Sequence, residues 1–434
     1  MLSKKTTSVG IIGIGYVGLP LAVEFGKLFK TIAYDINKSR VHQLMEGLDD
    51  TLEISKQQLK QSKNLIFSTD TKHLKQCNIY IITVPTPIFK NKKPDLRFLK
   101  DASKLVGKII NNQDIIIYES TVYPGATEEI CIPILEKYSK LNFLNKDNCT
   151  KVSKGFYCGY SPERINTGDK KHNLTNIKKI TSGSTPYASK KIDKLYKLII
   201  KAGTHLTNNI IEAEAAKIIE NTQRDINIAL INELAIIFNK LNIDTNEVLK
   251  AAGTKWNFMP FKPGLVGGHC IGVDPYYLTY QSIKKGYLPK VILSGRRIND
   301  HMGMYVSDRI KKLMKSKGIK VKGSNVLVMG YTFKENCTDI RNTRVADILK
   351  NLSKSNCNVD VYDPWVNRNE FKKSKKINLI KSPKKNTYEA IVLAVAHDIF
   401  KKLSKNIILK YTKKNKIIYD IQNILPVEIV DERL

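Results

Sequence analysis

Val9-Gly10-Ile11-Ile12-Gly13-Ile14-Gly15-Tyr16-Val17-Gly18 decides the fold. An apolar, β-branched run breaks into G-x-G-x-x-G and continues into the helix-forming stretch Leu19–Phe29. Gly13 permits a tight turn, Gly15 lets the backbone approach a pyrophosphate, and Gly18 allows close helix–strand packing. The helix N-terminus then offers amides and its positive dipole end to the phosphates. Asp35 closes the next apolar run, at the distance where an acid bonds a ribose hydroxyl. Gly13, Gly15, Tyr16, Val17, Gly18 and Asp35 therefore read as a dinucleotide site. A carboxylate at position 35 repels the 2′-phosphate of NADP, so the expected cofactor is NAD. Arg40, five residues on, could serve a 2′-phosphate or stack its planar guanidinium on adenine.

Working outward, apolar runs alternate with helical stretches, the pattern of a parallel α/β sheet. Candidate strands are Ser8–Ile14, Lys30–Tyr34, Ile79–Val84, Asp114–Glu119 and Lys179–Ser182. The loops with Thr86 (Val84-Pro85-Thr86-Pro87) and Thr121 (Glu119-Ser120-Thr121-Val122) follow such strands, so they lie at the carboxyl edge where ligands bind. Over Glu212–Lys240 the period changes: Ile211, Ala215, Ile218, Ile219, Ile226, Ala229, Leu230 and Leu234 mark one long amphipathic helix. After Gly318 the alternation resumes with Asn325–Met329, Val359–Tyr362, Ala390–Ala396 and Ile417–Asp420. The fold class is α/β, with two Rossmann-like parallel-sheet domains joined by a long helical region. The expected boundaries are 1–205, 206–315 and 316–434. Both outer parts open with a strand and glycine turn and place an Asp after the second strand, Asp35 and Asp363, which resembles a repeated architecture.

A chain of 434 residues with 42% hydrophobic residues suits two or three globular domains. No apolar run is long enough to span a membrane, and no signal peptide is expected. The seven cysteines form no Cys-x-x-Cys pair, so neither a disulfide framework nor a metal site is expected, and a reducing cytoplasm suits the chain. The formal charge of +32 is mostly dispersed lysine without a nucleic-acid module. Nucleic acid is not an expected partner, whereas anionic substrates are attracted by such a surface.

Two further patterns carry chemistry. In Pro263-Gly264-Leu265-Val266-Gly267-Gly268-His269-Cys270-Ile271-Gly272-Val273-Asp274, a cysteine follows glycines and precedes an acid by four residues. Glycines let a substrate approach the backbone, a thiol attacks electrophilic carbon, and a carboxylate steers protons. A buried structural cysteine is the competing account. On the long helix, Glu214, Lys217, Asn221 and Arg224 share a face turned away from the apolar stripe. Such faces are usually solvated. Asparagine is a poor helix former, however, and Lys217 with Asn221 would make a donor pair for an oxyanion.

These motifs together resemble the UDP-glucose/GDP-mannose dehydrogenase family, from Gly13-Ile14-Gly15-Tyr16-Val17-Gly18 through Glu119-Ser120-Thr121-Val122, Pro162-Glu163, Lys217/Asn221 and Gly267-Gly268-His269-Cys270 to Phe333-Lys334. Within it the chain is similar to the UDP-N-acetylhexosamine 6-dehydrogenase branch (GlcNAc or GalNAc), which serves Vi-type capsule and O-antigen synthesis. UDP-glucose 6-dehydrogenase is the alternative within the family. The resemblance implies two successive oxidations at C6 with NAD, through a thiohemiacetal and a thioester on Cys270. It implies that Lys217 and Asn221 stabilise an oxyanion and that Asp274 assists Lys217 and the hydrolytic water. Glu163 and Thr121 would serve proton transfer and water placement, with Thr86, Thr121 and Arg341 beside the cofactor. Glu163, Lys217, Asn221, Arg224, Gly264 and Lys334 would line the UDP-sugar, and the long helix would form a homodimer core. The chain departs from many relatives in having His269 where they have serine, and Val273 where they have lysine. Lys255 or Lys262 would replace an arginine that reaches the partner subunit's substrate. His269 would act as a base or pack beside the thiol.

Overall fold

In a computed structural model, residues 3, 5–164, 173–371 and 374–434 are described. The chain packs as two compact units, Met1–Glu220 with Tyr276–Tyr287, and Asn221–Pro275 with Leu288–Leu434.

The first unit is built on strands β1 (Ser8–Ile12), β2 (Lys30–Tyr34), β3 (Leu65–Ser68), β4 (Ile79–Ile82), β5 (Ile115–Tyr118), β6 (Asn142–Phe143) and β7 (Gly155–Tyr160). They form one parallel sheet in the order β3-β2-β1-β4-β5-β7-β6. Strands β8 (Lys179–Thr181) and β9 (Thr204–Leu206) pair separately. The central strands are buried on both faces, as a sheet covered by helices requires, so they read as continuous Ile/Val runs. Strand β7, Gly-Phe-Tyr-Cys-Gly-Tyr, escapes a search for such runs because glycines interrupt it. They are needed there: a Cβ on Gly159 would lie 2.3 Å from Ile192 and 2.5 Å from the Ser182 carbonyl.

The second unit contains β10 (Asn325–Met329), β11 (Asn358–Tyr362), β12 (Ile377–Leu379), β13 (Tyr388–Leu393), β14 (Thr412–Asp420) and β15 (Glu432–Arg433). They too are parallel, in the order β12-β11-β10-β13-β14-β15. Alternate residues of β10 enter different apolar layers, Val326 and Val328 on one face, Leu327 and Met329 on the other. The expected repetition is present in the turns. Gly13 and Gly330 both have φ above +90°, at +97° and +92°. After each, backbone amides donate to the Asp that follows the second strand, Ile14 to Asp35 and Tyr331 and Thr332 to Asp363.

The long helix α1 spans Ile210–Leu241. Its faces depart in part from the expected arrangement: Ile218 and Ala229 of the apolar stripe are buried and Arg224 is exposed, as expected, but other positions differ. Glu214, Lys217, Asn221 and Asp225 are at most 2% exposed, whereas Ile211, Ile219, Leu230 and Ile237 are exposed. Within the second unit, Asp225 receives the Arg296 guanidinium at 2.6 Å and the Asn299 amide at 2.7 Å. Arg296 also pairs with Asp300, which in turn pairs with Arg344.

Removing one partner of a buried ion pair strands the other charge without water. Arg296→Met is therefore predicted to destabilise the protein by ~3–5 kcal/mol. Asp225→Leu added to it should restore part of that loss. Urea unfolding of both variants checks the pair, and equal midpoints for parent and Arg296→Met would contradict it.

Candidate active site

The glycine loop after β1 has the shape a dinucleotide needs. A Cβ on Gly18 would sit 1.9 Å from the Gly13 carbonyl, so no other residue fits there. A Cβ on Gly15 would meet nothing within 4 Å, leaving the space that an approaching pyrophosphate takes. Asp35 accepts the Ile14 N–H at 2.8 Å and the Asn37 N–H at 2.9 Å, which fixes its carboxylate beside the loop. Arg40 is buried beneath the same loop. It donates to the Ile14 carbonyl at 3.1 Å and pairs with Asp49 and Asp50, so its guanidinium buttresses the turn. Tyr16 and Val17 are partly exposed at the helix start, and Thr121 is partly exposed after β5. The Thr86 carbonyl accepts the Tyr277 hydroxyl at 2.9 Å.

Also in the first unit, Lys217 extends into a buried pair with Glu163, 2.8 Å to the carboxylate and 3.2 Å to its carbonyl. The segment carrying Glu163 is held from behind by residues that sequence reasoning missed. Lys179 donates to the Ser161 and Pro162 carbonyls at 3.2 and 3.0 Å, and to the Glu119 carboxylate at 2.8 Å. Tyr196 donates to the other Glu119 oxygen. Arg164 caps the Ala216 and Lys217 carbonyls and pairs with Glu220. A lysine in a buried strand is the one signal that marked Lys179 in advance. Glu214 secures the loop after Thr121, accepting the Gly125 and Thr127 amides at 2.5 and 2.9 Å. Burial outweighs these bonds and pushes its carboxyl up to about 7.

The second unit gathers the rest. Cys270 is partly exposed, and its carbonyl accepts the Val273 and Asp274 amides, turning the chain into a helix that starts at Asp274. Asp274 is buried and accepts the Asn221 amide at 2.5 Å. Arg224 donates to the Asn221 carbonyl oxygen, so the amide is oriented from both ends. Gly267 and Gly268 leave room for protein, contrary to the expectation of room for substrate. A Cβ on Gly268 would lie 2.8 Å from the Phe333 ring, and one on Gly267 2.9 Å from the Asn342 carbonyl. Gly264 is the open glycine. With Lys334, Thr332, Arg344 and Gln422 it lines a cavity of about 180 Å³. Lys334 places its ammonium 5.7 Å from the Phe333 ring. Arg341 binds Asp339 at 2.7 Å, and His269 stands 3.2 Å from the same carboxylate. Lys255 and Lys262 are both exposed.

Among the described residues no cluster of His, Cys, Asp and Glu could hold a metal, and no helix is long and apolar enough to cross a membrane. The first unit can hold a dinucleotide and also contains a buried lysine–carboxylate pair. The second offers a thiol, an oriented amide, a buried acid and a polar cavity.

Three models of the UDP-glucose/GDP-mannose dehydrogenase family match in order. The NAD binding domain covers residues 7–200, the central domain 211–301 and the UDP binding domain 327–427. The chain is 55% identical to a UDP-N-acetyl-D-glucosamine 6-dehydrogenase of Salmonella typhi over 434 residues, all of both chains. It is 54% identical to an enzyme of the same name from Pseudomonas aeruginosa, over 99% of this chain and 100% of that one. The solved structure of a UDP-D-ManNAc dehydrogenase from Pyrococcus horikoshii superposes with a TM-score of 0.86 at 29% identity, covering 98% of each chain.

A glutamate free in solution titrates near 4.5, whereas Glu214 holds its proton up to about 7. Between those values the native state binds more protons than the unfolded state, so this group lowers stability as pH rises. Glu214→Gln is predicted to remove that slope. Its stability relative to the parent should improve from pH 4.5 to pH 8 by ~3 kcal/mol at most. Urea unfolding at the two pH values tests this, and a pH-independent difference would show that Glu214 ionises normally.

Proposed function

The chain belongs to the UDP-glucose/GDP-mannose dehydrogenase family, and on that premise we propose that it oxidises C6 of UDP-N-acetylglucosamine to the carboxylate. The reaction is a four-electron oxidation, in the cytoplasm, that supplies a uronic acid for surface polysaccharide. Two relatives over half identical bear the name UDP-N-acetyl-D-glucosamine 6-dehydrogenase, which favours this sugar over its epimers. One observation carries the chemistry. Asp274 follows Cys270 by one helical turn and accepts the Asn221 amide, so the thiol's segment carries an acid that is bonded to an oriented amide of α1. A dehydrogenase that stops at the aldehyde has no use for that thiol.

In this proposal residues 1–205 bind NAD, 206–315 carry Lys217 and Cys270, and 316–434 bind the UDP moiety. Gly13, Gly15, Tyr16, Val17 and Gly18 cradle the pyrophosphate, Asp35 takes the ribose, and Arg40, Thr86, Thr121 and Arg341 complete the surroundings. NAD, when bound there, supplies the hydride acceptor for both oxidations. The chain's own residues do the rest. Cys270 Sγ adds to C6 of the aldehyde, making a thiohemiacetal whose further oxidation leaves a thioester. Lys217 and Asn221 stabilise negative charge on the C6 oxygen. Glu163 and Thr121 handle the proton and place water, and Asp274 assists the water that cleaves the thioester. Lys334 and Gly264 hold the nucleotide from the cavity they line, and Arg224 reaches the sugar beside Asn221.

Purified protein is predicted to release two NADH per UDP-GlcNAc and to turn over UDP-glucose far more slowly. The acetamido group's partners go unpaired when a hydroxyl binds instead. Cys270→Ser should abolish uronate formation while leaving NAD binding intact. Equal kcat/KM for UDP-glucose would sink the sugar assignment, and acid formation by Cys270→Ser would sink the nucleophile.

The same proposal makes the protein a homodimer. Leu230, Ile237 and Leu241 of α1 are 53%, 43% and 59% exposed, and Trp256 in the adjoining loop is 97% exposed. Such a row of large apolar side chains is the surface that a second copy covers. Leu230→Glu with Ile237→Glu should convert a dimer to a monomer in light scattering. A monomeric parent would overturn the assignment.

A further inference from the structure

We propose that Arg344 is a substrate-binding residue, a guanidinium fork that grips the diphosphate of the UDP-sugar in the cavity it shares with Lys334. The inference rests on the reading of that cavity as the place of the nucleotide, and it gives the site a second cation. Apart from Gly264, Leu265 and Gly267, every residue lining the cavity falls within the stretch matched by the UDP binding domain model. Three positive features meet in that lining: Lys334, Arg344 and the first residue of the helix Val345–Lys354. The start of a ten-residue helix carries the positive end of its dipole, which favours an anion.

The fold fixes Arg344 without exhausting it. Its Nε–H donates to the Val266 carbonyl at 3.4 Å, one terminal nitrogen pairs with Asp347 at 3.2 Å, and the other pairs with Asp300. Those contacts use three of the five N–H bonds of a guanidinium. Among the described residues nothing accepts the remaining hydrogen on each terminal nitrogen, and the side chain is partly exposed. One hydrogen on each of two neighbouring nitrogens suits two oxygens of a phosphate, a fork that lysine cannot form. A clamp between carboxylates is the competing account. Asp300, however, is also held by Arg296, and Asp347 is almost half exposed to water. Neither acid depends on Arg344 alone, so their neutralisation does not explain a guanidinium at the cavity wall.

The rest of the lining supports the same use. Glu335 is the one acid in it, and it is exposed, so water screens its charge. The Thr332 hydroxyl donates to the Lys334 carbonyl at 2.9 Å, which holds the lysine's backbone at the wall. A compact ammonium and a planar fork read an anion differently, the first by charge and the second by a pair of oxygens. The segment with Arg344 also grips the loop before the thiol. Arg344 bonds the Val266 carbonyl, and the Asn342 amide donates to the Gly268 carbonyl at 3.1 Å, two residues ahead of Cys270. The diphosphate end of the substrate and the proposed nucleophile are thereby fixed in one frame.

Affinities of the full-length protein for UDP and for uridine test the assignment, by titration calorimetry and ligand-observed NMR respectively. Arg344→Gln should weaken UDP by about 10- to 100-fold, the loss expected for hydrogen bonds to a charged group, and leave uridine unchanged. Arg344→Lys keeps the charge without the fork, so its UDP affinity should fall between parent and Arg344→Gln. The lysine variant carries the same comparison should the glutamine variant fail to fold. Equal UDP affinity in the parent and either variant would overturn the proposal. So would an equal loss of UDP and uridine, which marks a residue that only shapes the cavity. Lys334→Gln separates the proposal from the reading beneath it. If UDP weakens in Lys334→Gln and not in Arg344→Gln, the cavity holds UDP without help from Arg344. If neither substitution alters UDP binding, the nucleotide lies elsewhere and both fail.

Discussion

Helix α1 buries a line of polar side chains, and each must find a partner or cost the protein its desolvation energy. Glu214, Lys217, Asn221, Asp225 and Asn232 occupy that line at intervals of three, four or seven residues. Glu214 captures the loop after β5 through two amides, and Lys217 captures Glu163. Asn221 captures Asp274, Asp225 captures Arg296 and Asn299, and Asn232 captures both Gly264 and Asn299. Within the first unit the helix thus holds the segments of Thr121 and Glu163, and within the second those of Asp274 and Gly264. A hydrogen-bonded polar line specifies position more sharply than an apolar one, because hydrogen bonds tolerate little displacement.

That buried polar line explains what was legible in the sequence and what was not. The 3.6-residue period announced the helix, and the structure extends it by only a few residues. Which face points inward was not legible, because the usual rule sends apolar residues to the core. Here Ile219 and Leu230 are exposed while Lys217 and Asn221 are buried. The mid-helix asparagine was the one local hint, being a residue that helices do not favour without reason. β-branched strands such as Lys30–Tyr34 and Asn325–Met329 match expectation to the residue, since a doubly covered parallel sheet writes itself as an apolar run. The edge strand Leu65–Ser68 and the glycine-bearing β7 carry no such signature. The partners of His269 were equally hidden, because Asp339 and Arg341 lie some seventy residues away in sequence.

The two sheets share a turn device but not its use. In both, a glycine with positive φ ends the first strand and an Asp after the second strand collects the following amides. Beyond that point they diverge. Gly15 stands over open space, whereas the second turn continues through Tyr331, Thr332 and Phe333 with side chains where the first has glycines. Asp363 is further committed to His397, a fully buried imidazole whose other nitrogen accepts the Asn336 amide. Those bonds fix the loop that carries Lys334. The same backbone solution thus yields an open phosphate cradle in one sheet and a rigid arm for a lysine in the other.

Buried ion pairs are poor sources of stability, because the desolvation of two charges offsets much of their attraction. The first unit nevertheless keeps such pairs, among them Lys179 with Glu119 and Lys217 with Glu163, at 2.8 Å each. Lys179 spends its remaining hydrogens on the carbonyls of Ser161 and Pro162, immediately before Glu163. An apolar pair of equal volume would fill the space at lower cost but could not grip two carbonyls. Their presence is accounted for by what they locate: the Lys179 pair sets the backbone from which the Glu163 pair is presented. In this chain the buried charge is concentrated where atoms must be placed, while the large lysine excess stays on the surface.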